Sequence, residues 1–412
     1  MSMNDGERFD TNELAVVKHQ SREEKRKKKR TRRESRIPRW VYRIILILIL
    51  CVLGMLVWFN RSNLTPTNVV DWVQNQVIGM GIGDGFPTKI AGSDVSVGNF
   101  KSVNKEAIYV SNTALTALNT TSKEIVSRQH SFSKPVMKVN GSRMLVYNLG
   151  GTGYQLESQS KTLVKTNGQE NILAGALAGN GRYALITESN GYFGQLTVYM
   201  DDNKAKSHYW FSEYFPTAVA LSKDGTKAAV TAVSAKDGGL TSAVYLLDLN
   251  SEKTVAPFAV FSEDMMMDVS YCDDGSVVAI GDKLTTVIHS NQSTKTDYDY
   301  QGLQLSSYCV DDSRTALSLS PYKNTASGKL VVLDETGKTT VSINFQQKIT
   351  SVSLYGDTVA VLANGKVQFY SATTGNPTGS CDAGGDATAI ALQDESSVYI
   401  LGVSEIRLAS SH

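Results

Sequence analysis

Outside the first forty residues the histidines are His130, His208, His289 and the terminal His412. They lack the H-E-x-x-H or paired spacing that brings two imidazoles to one metal. Asp297-Tyr298-Asp299-Tyr300-Gln301-Gly302 begins like a calcium loop, yet Tyr308 stands where the bidentate Glu belongs. Ser131-Phe132-Ser133-Lys134 and Ser320-Pro321-Tyr322-Lys323 match S-x-x-K without its partner motifs, and there is no G-x-S-x-G. Arg143, Arg182 and Arg314 recur at one register after a first strand, which reads as a solvated turn position. Gly79, Gly81, Gly83 and Gly85 alternate but fail G-x-G-x-x-G and read as a turn. Cys51 lies in an apolar run, and Cys272, Cys309 and Cys381 show neither metal nor disulfide-framework spacing. No catalytic, cofactor-binding or metal-binding residue is expected.

Two segments offer recognition instead of catalysis. His208-Tyr209-Trp210-Phe211-Ser212-Glu213-Tyr214-Phe215 concentrates aromatics, and a later loop carries Met265-Met266-Met267. Rigid aromatics and adaptable Met side chains are frequent at interaction surfaces. Tyr209, Trp210, Tyr214, Phe215, Met265 and Met266 are the candidate partner-binding residues. The alternative is that alternate members of these runs fill the packing between repeated units.

The elements that position them are short strands. One unit is a strand, a polar turn and a second apolar strand, as in Ala218 to Ser222, Lys223-Asp224-Gly225, then Ala228-Ala229-Val230. It recurs at Pro135, Val269 and Val352, with weaker copies near residues 100, 173, 305 and 388. A second unit is a strand ending in a hairpin, such as Val332-Leu333-Asp334-Glu335-Thr336-Gly337-Lys338, where the Asp side chain caps the turn and Gly takes the left-handed position. Alternation of the two gives four strands per repeat, the sequence mark of a β-propeller. Residues 91–412 are therefore expected to form an all-β propeller of eight four-stranded blades, with seven as the alternative. The last repeat has room for three strands, and Ser93 to Val97 is expected to supply the fourth.

Ahead of this domain, Ile44 to Phe59 is apolar or Gly throughout. With Trp40 to Arg43 it is long enough to cross a ~30 Å hydrocarbon core as one α-helix. Residues 1–43 hold 14 Lys/Arg against 7 Asp/Glu, a local +7 within a total of +1, so the remainder carries −6. The block from Lys25 to Arg33 abuts the apolar run. It places a basic tail, residues 1–39, in the cytoplasm, a transmembrane helix over 40–59, and the C-terminal domain outside the cell membrane. Anionic lipid, not nucleic acid, is the expected partner of the basic flank. A stalk over 60–90 carries a short amphipathic helix at Val69, Val70, Val73 and Val77.

The Ser222-Lys223-Asp224-Gly225 turn and the Asp334 to Lys338 hairpin resemble WD40-like, YVTN-like and quinoprotein-like propeller repeats. Gly83-Asp84-Gly85-Phe86-Pro87, Asn148 to Tyr154 and Leu185 to Ser189, behind one anchor, resemble an uncharacterised bacterial family of single-pass membrane proteins with an extracytoplasmic propeller. The resemblance implies fold and topology and brings no catalytic residues. The expected function is a noncatalytic binding or scaffolding module for an extracytoplasmic protein or a cell-envelope polymer. The competing reading is a propeller hydrolase or lyase acting on envelope polysaccharide, which calls for a convergent carboxylate pair in a cleft.

Overall fold

In the computed structural model of the chain, residues 39–59, 81–251, 253–322 and 326–412 are described. The chain divides into Met1–Arg61 and Ser62–His412.

The first unit contains the helix Arg39–Phe59, 21 residues with no acidic side chain in its first turn. Its side chains are described without interruption only from Trp40 to Val52. Among the described residues no helix is long and apolar enough to cross a membrane, so the span expected over 40–59 finds no support there. The basic tail and the stalk helix at Val69 to Val77 lie outside the described residues.

The second unit is an eight-bladed β-propeller. Every blade is a four-stranded sheet whose neighbouring strands are antiparallel. The blades run over residues 100–129, 135–167, 172–211, 215–262, 266–299, 303–345, 349–382 and 389–410, the last completed by Thr88–Lys89. First strands of neighbouring blades touch one another and line the axis. Antiparallel order then puts the first-to-second and third-to-fourth turns on one rim, the turn rim. The second-to-third turns and the connections between blades share the other, the connection rim.

Burial follows this order. The second strands Val277–Gly281 and Thr358–Ala363 are buried along their length, whereas the outer strand Lys295–Asp299 alternates between exposed and half-buried positions. Among the described residues the buried apolar side chains fall into eight clusters, one at each junction between blades. A sheet buried on both faces needs β-branched and apolar residues on both sides, and the second strands supply them.

Two expectations are corrected. Ring closure is made by Thr88–Lys89, paired with Ile406 and Glu405, and not by Ser93 to Val97. Phe86 anchors this closure, its ring 5.4 Å from that of Tyr399. Residues 93–96 are irregular and run into a 3-10 turn at Val97–Asn99. The recurring arginines are latches between blades and not solvated turn residues. Arg143 Nη1 donates to the carbonyl of Gly181 at 3.3 Å, Arg182 Nη1 to that of Gly225 at 3.0 Å, and Arg314 Nη1 to that of Gly356 at 2.6 Å. Each acceptor lies in the first turn of the next blade. A guanidinium satisfies main-chain carbonyls there without a competing donor, which is why one residue type recurs at this register.

Candidate functional site

The segment 205–216 shows how strand alternation sorts side chains. Tyr209 and Phe211, in the outer strand Ala205–Phe211, turn inward: Phe211 is buried, and Tyr209 is half-buried with its hydroxyl donating to the Val255 carbonyl at 2.9 Å. Trp210, between them, is 45% exposed. Phe215 opens the next inner strand and is 41% exposed, while Tyr214 packs edge-on against Tyr245. In the methionine run, Met266 is fully buried and Met265 and Met267 are exposed. A register shift between Met266 and Asp268 sets this alternation.

Of the six candidates, Trp210, Phe215 and Met265 thus share an accessible position on the connection rim of blades three to five. Met266 belongs to the core, and Tyr209 and Tyr214 pack against it. The same rim also exposes Tyr192, Leu240 and Met267, which are not among the six candidate residues. Tyr192 lies beside Trp210, ring centroids 6.3 Å apart. Leu240 follows the Gly238-Gly239 turn, and its carbonyl accepts from the Glu263 amide at 2.8 Å, two residues before Met265. Tyr192 and Leu240 each stand immediately after a glycine, Gly191 and Gly239, and that position is their signal in the sequence.

The methionine loop is laced down from beneath. Asp264 is buried, and its Oδ1 accepts from the amides of Asp282 at 3.0 Å and Lys283 at 3.2 Å. In return Asp282 Oδ1 accepts from the Met265 amide at 2.7 Å. Burial, reinforced by the facing Asp282 carboxyl, pushes Asp264 up to about 7.

A second polar region lies on the axis. Lys138 of the second blade reaches Asp268 of the fifth, Nζ to Oδ1 4.0 Å, and the Tyr308 hydroxyl donates to Asp268 Oδ2 at 2.8 Å. The Asp268 carboxylate holds the Lys138 ammonium above its ordinary value, and burial raises both Tyr308 and Cys309. The channel is polar and open, about 440 Å3 in volume. Arg143, Arg182 and Arg314 point to neighbouring turns and do not converge. Asp297 accepts from Thr286 Oγ1 at 2.7 Å and pairs with Lys295. Among the described residues no three His, Cys, Asp or Glu side chains are grouped to hold a metal.

Residues 87–407 match a family described as one of unknown function, DUF5711. The chain belongs to this family. The match spans the propeller from its closing strand to its last blade. No curated protein matches the chain. Among solved structures, the family fold seen here is similar to the C-terminal WD40 domain of Sif2, at 11% identity and a TM-score of 0.54, covering 80% of this chain and 99% of that one. It is similar to the Dos1 propeller at 11% identity and TM-score 0.52, covering 81% and 96%. Apo AztD from Citrobacter koseri gives 10% identity and TM-score 0.51, covering 73% and 88%. At such identities the likeness establishes the fold and nothing about ligands.

Proposed function

We propose that this chain is a membrane-tethered extracytoplasmic propeller whose connection rim binds a protein or a cell-envelope polymer without catalysis. The observation that carries the binding role is the exposure of Tyr192, Trp210, Phe215, Leu240, Met265 and Met267 on one rim of three neighbouring blades. Exposed apolar patches rimmed by polar residues mark interaction sites, and a few aromatics usually dominate such interfaces. The aromatic members are preordered: Trp210 is flanked by Tyr192 and by a stacked His208 ring 5.8 Å away, so little side-chain entropy remains to be lost on binding.

Support for the tether comes from the sequence, namely the apolar stretch Ile44 to Phe59 behind the basic block Lys25 to Arg33. Protease added to intact cells is expected to destroy epitopes beyond residue 90 and to spare an N-terminal tag. A C-terminal epitope that survives, or a full-length chain recovered in the soluble fraction, contradicts the tethered topology. The binding role is tested separately, by capture with rim variants.

A further inference from the structure

The axial channel is charged on two opposed walls. The stretch nearest the turn rim is enclosed by the ends of six inner strands. Lys101 on the first blade and Lys138 on the second occupy equivalent positions. Each stands two residues before the last paired residue of its strand, Val103 opposite Glu106 and Asn140 opposite Arg143. Asp268 belongs to the fifth blade, and Asp311 and Asp312 follow the inner strand Leu303–Val310 of the sixth. In a ring of eight, the first blade faces the fifth and the second faces the sixth. The lysines therefore look across the axis at the aspartates.

These charges are unequally satisfied. Lys138 is engaged with Asp268, which also accepts from Tyr308. Lys101 is exposed to the channel and makes no ion pair among the described residues. On the far wall, Asp311 Oδ1 accepts, among the described residues, only a short-range bond from the Asp312 amide, 2.8 Å. Burial and the neighbouring Asp273 and Asp311 carboxylates push Asp312 up, only partly offset by the Lys223 ammonium, which is itself paired with Asp273, so a cation arriving there relieves repulsion. The volume of about 440 Å3 falls within the range of small-molecule sites, roughly 300–1,000 Å3.

We infer that this part of the channel binds a small zwitterion, its anionic end on Lys101 and its ammonium end on Asp311 and Asp312. A simple cation leaves Lys101 unpaired and a simple anion leaves the aspartates unpaired, whereas a zwitterion answers both walls. The inference is independent of the rim interface, because the mouth of this stretch lies on the opposite face of the propeller.

Isothermal titration of the full-length chain in detergent micelles with β-alanine, 4-aminobutyrate and 6-aminohexanoate tests it, with hexylamine and hexanoate as single-charge controls. At least one ω-amino acid is expected to bind tenfold or more tightly than both controls. Lys101→Met and Asp311→Asn should each weaken it at least tenfold at an unchanged melting temperature. Lys101 is exposed, so its variant reads the site even where Asp311→Asn misfolds. Failure of all three amino acids to bind, equal binding of hexylamine or hexanoate, or wild-type affinity in a folded Lys101→Met protein overturns the inference.

Discussion

Arg182 of the third blade holds the carbonyl of Gly225 in the first turn of the fourth, Nη1 to O 3.0 Å. Gly225 sits at φ +60°, and a Cβ there would meet Arg182 Cδ at 2.9 Å, so the latch and the glycine require each other. Charge-assisted hydrogen bonds contribute about 1.5–3 kcal/mol and a non-glycine residue in the left-handed region costs about 1–2 kcal/mol. Arg182→Met and Gly225→Ala should each lower unfolding free energy by about 1–2 kcal/mol in denaturant titration. The double variant should lose less than the sum, because either change alone already breaks the contact.

Across the axis, Lys138 and Asp268 are expected to couple. Removing the ammonium leaves a partly desolvated carboxylate with only Tyr308 as donor, so Lys138→Met should destabilise the protein. Asp268→Asn in the same background should recover part of the loss. A double-mutant cycle is expected to return a coupling of about 1 kcal/mol, limited by the water that reaches the channel. A coupling near zero would remove this pair from the determinants of channel shape.

Stability should fall as pH rises toward neutrality. Burial raises Glu106 from 4.5 to about 7, even though Gln159 Nε2 donates to both of its carboxylate oxygens at 2.9 and 2.7 Å. Asp264 is raised from 3.8 to about 7. The folded protein holds both protons more tightly than the unfolded chain does. Their stabilisation is complete below the unfolded values near 4 and disappears as pH climbs through about 7. Asp386 and Asp357 act oppositely. The Arg407 guanidinium and the Thr373 hydroxyl hold them below 3.8, so their contribution is lost only in stronger acid. Melting temperature should therefore be higher at pH 5 than at pH 7.5, and Glu106→Gln with Asp264→Asn should flatten that difference.

Much of the fold is legible because its signals are local. In the Asp334 to Lys338 hairpin, Asp334 Oδ1 accepts from the Thr336 amide at 2.9 Å and the Lys338 amide at 3.0 Å, the capping expected of an Asp that opens a hairpin. Eight copies of the unit that begins each repeat, a strand, a polar turn and a second apolar strand, gave the blade count. Closure was misplaced because it depends on pairing with Glu405 and Ile406, more than three hundred residues away, and a two-residue strand has no periodicity of its own. The surface was legible to the level of the segment but not of the residue. Which of Met265, Met266 and Met267 faces outward depends on the register shift after Met266, which the sequence does not mark. The channel charges were invisible for a related reason, since each repeat contributes one or two and no stretch carries a motif.

The closing strand gives a sharper stability prediction. A chain that begins at Ala91 loses Thr88–Lys89 and the Phe86 contact with Tyr399, exposing the edge of Glu405–Ser410. It should melt several degrees lower and associate through that edge. Phe86→Ala alone should cost about 1–3 kcal/mol, less than a fully buried Phe because the ring is half-exposed.

The central claim is that the connection rim of blades three to five is the binding surface. Proximity cross-linking from the full-length chain in intact cells, compared between wild type, Trp210→Ala/Phe215→Ala and the turn-rim control Tyr355→Ala, tests it most directly. Trp210 and Phe215 are about as exposed as Tyr355, at 45%, 41% and 39%, so all three proteins should melt together. The account predicts that cross-linked species seen with wild type persist in Tyr355→Ala and fall at least tenfold in the double variant. Equal capture by a folded Trp210→Ala/Phe215→Ala protein, or loss in Tyr355→Ala instead, would contradict it.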